Sequence, residues 1–258
     1  MMIARTKEEL EILREGGKRL ARHVRILGEM VAPGVSTAAL EDTAREMVAK
    51  EGDELAFYGY KGGKNDKDGF PSGLCVSVND VIVHSPAGQN GAIIEEGDVV
   101  CIDFGIQHRG LFTDHAATVI AGRAICPADE ELVRGTREAL AAGIAAAKLG
   151  NTTGDIGHAV EQVADKYHFG FPRNLSGHGV GKQVHEEPHV PNFGKKGKGE
   201  KLVEGLVIAI EPMMTLGSGD LYIDADGHSY RTKDGSRTAH FEHTVLVTKT
   251  GPKILTKE

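Results

Sequence analysis

Leu10, Leu13, Leu20, Val24 and Leu27 recur at helical spacing behind a Thr6 and Glu9 capping-box pair, which predicts a helix running to about Met30. Pro33 and Gly34 stop it, and Ser36 and Thr37 can cap a second helix through about Lys50. From Gly52 the pattern becomes irregular, with Gly62, Gly63 and Gly69 marking a mobile loop. At Leu74 the period drops to two and β-branched residues dominate. Strands are therefore expected over Cys75 to Val78, Val81 to His84, Val99 to Ile106 and Leu111 to Ile120. The order then returns, with helices from about Asp129 to Leu149 and Thr153 to Tyr167, and strands near Leu206 to Glu211 and Phe241 to Thr248. Two helices precede a set of strands twice, which points to a duplicated architecture. No linker-like run separates the halves, so residues 1–258 are expected to form a single α+β domain.

Composition narrows the function. Of the 258 residues, 40% are hydrophobic and 26% charged, as in ordinary globular proteins. Thirty Lys and Arg stand against 37 Asp and Glu, and this net charge of -7 opposes nucleic acid as a substrate. Cys75, Cys101 and Cys126 are odd in number and lack CxxC spacing, so they read as reduced thiols and not as a disulfide framework or zinc ribbon. The N-terminal stretch has no apolar signal region and no apolar run approaches membrane-spanning length. A cytoplasmic protein with no membrane partner is expected.

The chemistry gathers at acidic residues. Gly110 can supply the positive φ of a tight hairpin after Cys101-Ile102-Asp103-Phe104-Gly105. A turn centred between His108 and Arg109 makes Asp103 and Asp114 direct cross-strand partners, with Cβ atoms about 5 Å apart. Like charges so placed are relieved by a shared cation; alternatively a register slipped by one residue sends them to opposite faces, or both simply meet water. His178 stands among glycines in Ser176-Gly177-His178-Gly179-Val180-Gly181, where little bulk blocks its ring. The same string superficially suggests a phosphate loop, but no convincing helix opens after it. Glu211 and Glu242 lie at strand positions beside apolar runs, where a buried carboxylate is costly unless paired or bound to metal. Arg231 and Arg237 are available as ion-pair partners in the alternative reading.

Together these segments closely resemble the type I methionine aminopeptidases of the creatinase-like, or pita-bread, fold. The resemblance rests on Val78-Asn79-Asp80-Val81-Ile82-Val83-His84, Asp103 with Asp114, Gly177 to Gly181, His185-Glu186-Glu187-Pro188, Ile210-Glu211-Pro212-Met213 and Phe241-Glu242-His243-Thr244. It implies two pseudo-symmetric halves, with antiparallel sheet covered by helices, and a metal-dependent removal of the N-terminal methionine when the second residue is small. It further implies two divalent ions held by Asp103, Asp114, His178, Glu211 and Glu242, with Asp114 and Glu242 bridging and a metal-bound hydroxide attacking the first peptide bond. Mn, Fe, Co and Zn all suit this donor set. Glu211 matches the proton shuttle, and His84 and His185 match the histidines that contact substrate and stabilise the tetrahedral intermediate.

Phe70 and Cys75 match the apolar pocket for the methionine side chain, with Tyr58 or Tyr60 as an added wall. The chain departs from the family at Val184 and His228, where aromatic residues are usual, in a longer loop from Lys61 to Asp68, and at Ser85-Pro86-Ala87. The implied partners are nascent polypeptide N-termini and the implied state is a monomer; the lysine-rich run from Gly194 to Lys201 reads first as a solvated loop, and at most as a weak ribosome contact. Two other readings stay open: a proline-directed peptidase of the same fold, and a non-catalytic binding protein built on it.

Overall fold

A computed structural model of the chain describes residues 1–62 and 68–258. Its helices are α1 (Lys7–Met30), α2 (Thr37–Glu51), α3 (Ala87–Asn90), α4 (Pro127–Ala146) and α5 (Thr153–Tyr167). The strands of the first half are β1 (Glu54–Leu55), β2 (Cys75–Val78), β3 (Val81–Val83), β4 (Val99–His108) and β5 (Leu111–Ile120). The second half holds β6 (Ser176–Gly179), β7 (Glu186–Pro191), β8 (Val207–Ile210), β9 (Met213–Thr215) and β10 (Leu221–Ile223). It continues with β11 (Tyr230–Thr232), β12 (Thr238–His240), β13 (His243–Leu246) and β14 (Lys253–Ile254). Two helices ahead of strands thus occur twice, in the expected α+β order. The loop expected over 61–68 falls largely on residues 63–67, outside the described residues.

Local chemistry accounts for the helix starts. Thr6 Oγ1 accepts from the Glu9 backbone N–H at 3.0 Å while the Glu9 carboxylate accepts from the Thr6 N–H at 3.0 Å, closing the capping box of α1. Ser36 caps α2 by accepting from the Ala39 N–H at 3.2 Å. The buried stripe of α1, with Leu20, Val24 and Leu27, packs with Leu40, Ile102, Phe104 and Ile106 into one core under the first sheet. A second core joins Leu140 of α4 and Ile156 of α5 to Ile208, Ile210, Phe241 and Val245.

The first sheet runs β1-β4-β2 with β5 also paired to β4, and the second runs β14-β13-β8-β6-β7; every pairing is antiparallel. The β4–β5 hairpin turns on Arg109 and Gly110, both with positive φ (47° and 84°), as a two-residue turn of the I′ kind requires. His108 therefore pairs with Leu111, Gly105 with Asp114, and Asp103 with Ala116. The expected direct pairing of Asp103 with Asp114 is corrected: the turn sits one residue later, which shifts the register by two. A two-residue shift preserves the side-chain face, so the aspartates are diagonal neighbours on one face of the hairpin.

The two sheets meet beside these aspartates. Thr244 Oγ1 donates to the Asp114 carbonyl and accepts from the Asp114 N–H, each at 2.8 Å, and the Glu242 N–H donates to the Ala116 carbonyl at 2.9 Å. Among the described residues no helix is long and apolar enough to cross a membrane, and all three cysteines are free.

Candidate metal centre

Five side chains converge from five places in the chain: Asp103 on β4, Asp114 on β5, His178 on β6, Glu211 just after β8 and Glu242 just before β13. All five are buried. Glu211 and Glu242 thus lie one residue outside the strands expected to contain them. Each apolar strand delivers its carboxylate at the end where the regular ladder gives way.

Donor atoms of Asp103, Asp114 and Glu242 lie within 4.8 Å of one another, and so do those of His178, Glu211 and Glu242. A third such group joins Asp114, His178 and His185. The His178 Nε2 is 3.4 Å from Glu211 Oε1 and 4.0 Å from Asp114 Oδ2. Its Nδ1–H donates to the Gly179 carbonyl at 2.9 Å, which leaves Nε2 with its lone pair facing the acidic cluster.

The electrostatics are those of a cage built for positive charge. Burial, with Asp114 nearby, holds the Asp103 carboxyl well above the usual carboxylate range. Burial and the charges of Asp103 and Asp114 do the same to Glu211, and burial with Asp114 and Glu211 does so to Glu242. Asp114 is pushed up to about 7, chiefly by burial. Asp103 Oδ1 and Glu242 Oε1 are buried without any hydrogen-bond partner. Unfilled buried carboxylate oxygens are costly, and a divalent cation offers the charge and the coordination they lack.

The ion-pair alternative fails on geometry. Arg231 pairs with Asp80 at 2.8 Å and Asp224 at 3.0 Å, and Arg237 with Asp129 at 3.0 Å; neither is within ion-pair reach of Glu211 or Glu242.

The cluster forms the floor of a cavity of about 960 Å³. His84 opens onto it from a strained backbone, φ 62°, with its side chain exposed to the cavity, whose walls limit solvation of the ring and lower its pKa. His185 sits edge-on to His178 with ring centroids 4.4 Å apart, and burial lowers its pKa to about 2. Both rings are neutral at pH 7.

The apolar wall is built from Phe57, Tyr60, Phe70 and Cys75, with Val184 packed behind in the same cluster. Tyr60 rather than Tyr58 completes the wall, because Tyr58 is exposed and lies under the Arg45 guanidinium, 4.6 Å from its ring centre. His228 joins the lining, edge-on to Phe70 at 5.6 Å.

Two further histidines flank the cluster and escaped sequence reasoning. The His115 Nδ1–H donates to the Glu242 carbonyl at 2.5 Å, and His240 Nε2 lies 3.5 Å from Glu211 Oε2. The available signal was position: each stands within two residues of a proposed ligand.

Comparison with known proteins places the whole chain. The model of metallopeptidase family M24 matches residues 11–249. A methionine aminopeptidase of Aquifex aeolicus (strain VF5) is 44% identical over 256 residues, covering 98% of this chain and 97% of its own. The crystal structure of a methionine aminopeptidase from Thermotoga maritima superposes with a TM-score of 0.94 at 37% identity, over 100% of both chains. The prolidase from Pyrococcus horikoshii OT3, at 24% identity and a TM-score of 0.76 over 100% of this chain and 64% of its own, shares the pita-bread fold alone. The chain belongs to metallopeptidase family M24 and, within it, to the methionine aminopeptidases.

Proposed function

We propose that this chain removes the N-terminal methionine from nascent polypeptides, when the second residue is small, at a two-cation centre held by Asp103, Asp114, His178, Glu211 and Glu242. The observation that carries the reading is the set of four buried carboxylates around one imidazole, with two carboxylate oxygens left without partners. Glu242, Asp114 and His178 each belong to two of the donor groups, so neighbouring groups share side chains and would hold cations close together. Two divalent ions, drawn from Mn, Fe, Co and Zn, would supply Lewis-acid polarisation of the scissile carbonyl and a lowered pKa for the attacking water.

The chain's own residues do the rest. Glu211, as its ionised carboxylate, takes the proton from the attacking water and returns it to the departing amine. Neutral His84 and His185 face the same cavity and each keeps one N–H to donate to the substrate backbone, where charge develops as the carbonyl becomes tetrahedral. Phe70 and Cys75, with Phe57 and Tyr60, form an apolar slot for the methionine side chain.

The test is hydrolysis of Met-Ala and Met-Gly peptides by metal-stripped protein titrated with each of the four ions. Activity that returns with added metal is the expected result. Cleavage of X-Pro peptides alone, or of a different N-terminal residue, would overturn the assignment.

The setting is proposed as cytoplasmic, with a monomer acting as one catalytic domain. Lys195, Lys196, Lys198 and Lys201 are exposed on a loop whose backbone is tied to α5, with the Gly154 N–H donating to the Lys198 carbonyl at 2.9 Å. Such a patch supports a weak, salt-sensitive ribosome contact. Cosedimentation unchanged by replacing these lysines with Glu would rule the loop out.

A further inference from the structure

Among the described residues, two buried histidines have both ring nitrogens without a hydrogen-bond partner, His23 and His240. His23 faces Glu51, at 3.4 Å, on the α1–α2 side. His240 faces the cation centre. It is 1% exposed, and Glu211 is the one carboxylate with an oxygen within 4.0 Å of its ring nitrogens among the described residues, at 3.5 Å from Nε2 to Oε2. The other oxygen of the same carboxylate, Oε1, lies 3.4 Å from His178 Nε2. Glu211 is therefore bracketed, one oxygen toward each histidine.

The ring of His240 is delivered by a rigid backbone. The His240 N–H donates to Thr118 Oγ1 at 3.0 Å, and the His240 carbonyl accepts from Thr118 Oγ1 at 2.7 Å and from Cys101 Sγ at 3.6 Å. On its other side His240 pairs with Met213 of β9, two residues beyond Glu211. Thr118 and Cys101 belong to the β4–β5 hairpin that carries Asp103 and Asp114, so the ring is held in fixed relation to both sides of the cluster. His240 is not itself placed as a ligand, since it falls in none of the groups whose donor atoms gather within 4.8 Å. Contacts in metal-free and substrate-free sites are often long and close only when the site fills.

We propose that His240 is a positioning residue: its Nε2–H donates to Glu211 Oε2 and so aims Oε1 at the cation shared with His178. The inference rests on the proposed cation centre. Outer partners of this kind set the orientation and basicity of a ligating carboxylate, and their loss typically lowers metal affinity about 10–100-fold.

The experiment measures Co(II) affinity by titration calorimetry and the visible Co(II) spectrum in wild type, H240L and H240Q, with thermal melting of each metal-free protein as the control for folding. H240L should bind about 10–100-fold more weakly with an altered spectrum. H240Q, which restores an N–H at similar reach, should recover most of the affinity and the wild-type spectrum. In ¹⁵N-histidine-labelled wild type, the ring signal missing from H240Q should retain its proton on Nε2 after Zn(II) is added, a readout that does not depend on H240L folding. Wild-type affinity and spectrum in H240L, an H240Q that is folded yet as weak as H240L, or an unprotonated Nε2 would each overturn the inference while leaving the cation centre intact. Wild type that takes up no Co(II) would sink the cation centre and this inference together.

Discussion

Glu41 and Glu242 are both buried glutamates, 4% and 2% exposed, yet their surroundings are opposite. Glu41 accepts from the Ser72 hydroxyl and from the Gly73 and Leu74 N–H groups, each at 2.8 Å, and pairs with Arg45 at 2.6 Å. Glu242 has one oxygen with no partner, and its charged neighbours are Asp114, Glu211 and Asp103, all acidic. The first carboxylate ties the segment after the irregular stretch to α2 and has its acceptor capacity filled. The second belongs to a set whose capacity is open. Burial of an acid therefore does not by itself mark a functional group; open acceptors beside like charge do.

The largest test of this contrast is E211Q, which keeps the shape and removes the carboxylate that moves the proton. Peptide hydrolysis should fall on the order of 10²–10⁴-fold with circular dichroism unchanged. Full activity in a folded E211Q protein would erase the distinction between the two kinds of site. E41A should do the reverse. Stranding the donors from Ser72, Gly73 and Leu74 should cost about 3 kcal/mol in urea denaturation, with activity per folded molecule near wild type.

The acidic cluster also predicts a pH signature in metal-free protein. The folded-state pKa of Asp114 is raised from 3.8 to about 7. Between these values the folded state holds a proton that the unfolded chain has lost. The stability this contributes is complete below pH 3.8 and is lost as pH rises through 7. Compared in EDTA, D114N should gain on wild type across this window by at most about 1.4 kcal/mol per pH unit, the difference cancelling the histidines common to both. A gap independent of pH would mean that Asp114 is not held above its ordinary range. The smallest effect should come from R45A. Its guanidinium is 38% exposed, so the pair with Glu41 is worth under about 1 kcal/mol. A loss equal to that of E41A would show that the cation, and not the backbone donors, satisfies Glu41.

Much of the scaffold was legible because its causes are local. The Thr6 and Glu9 box, the Ser36 cap and the period-two runs of β4 and β5 lie where the pattern placed them. The hairpin register was off by two, since in the sequence only Gly110 announces a positive φ and it is the folded backbone that shows Arg109 adopting the other. Short strands such as β6 and β7 were missed because glycine and proline hide the alternation. The residues by themselves offered a pair of aspartates, a histidine among glycines and two isolated glutamates; the family resemblance joined these five into one proposed ligand set. His240 was passed over because nothing in its neighbours announces an empty ring.

By itself the sequence determined where helices begin, which stretches alternate, and which residue types stand available for chemistry, since these follow from caps, periodicity and side-chain identity within a few residues. Only the tertiary structure decided which acids have their oxygens filled and which are left facing one another. That outcome depends on contacts such as Thr244 with Asp114, 130 residues apart, and on the loss of water when two sheets close over the cluster. Desolvation and hydrogen-bond satisfaction are properties of the assembled interior, and no local window of residues contains them.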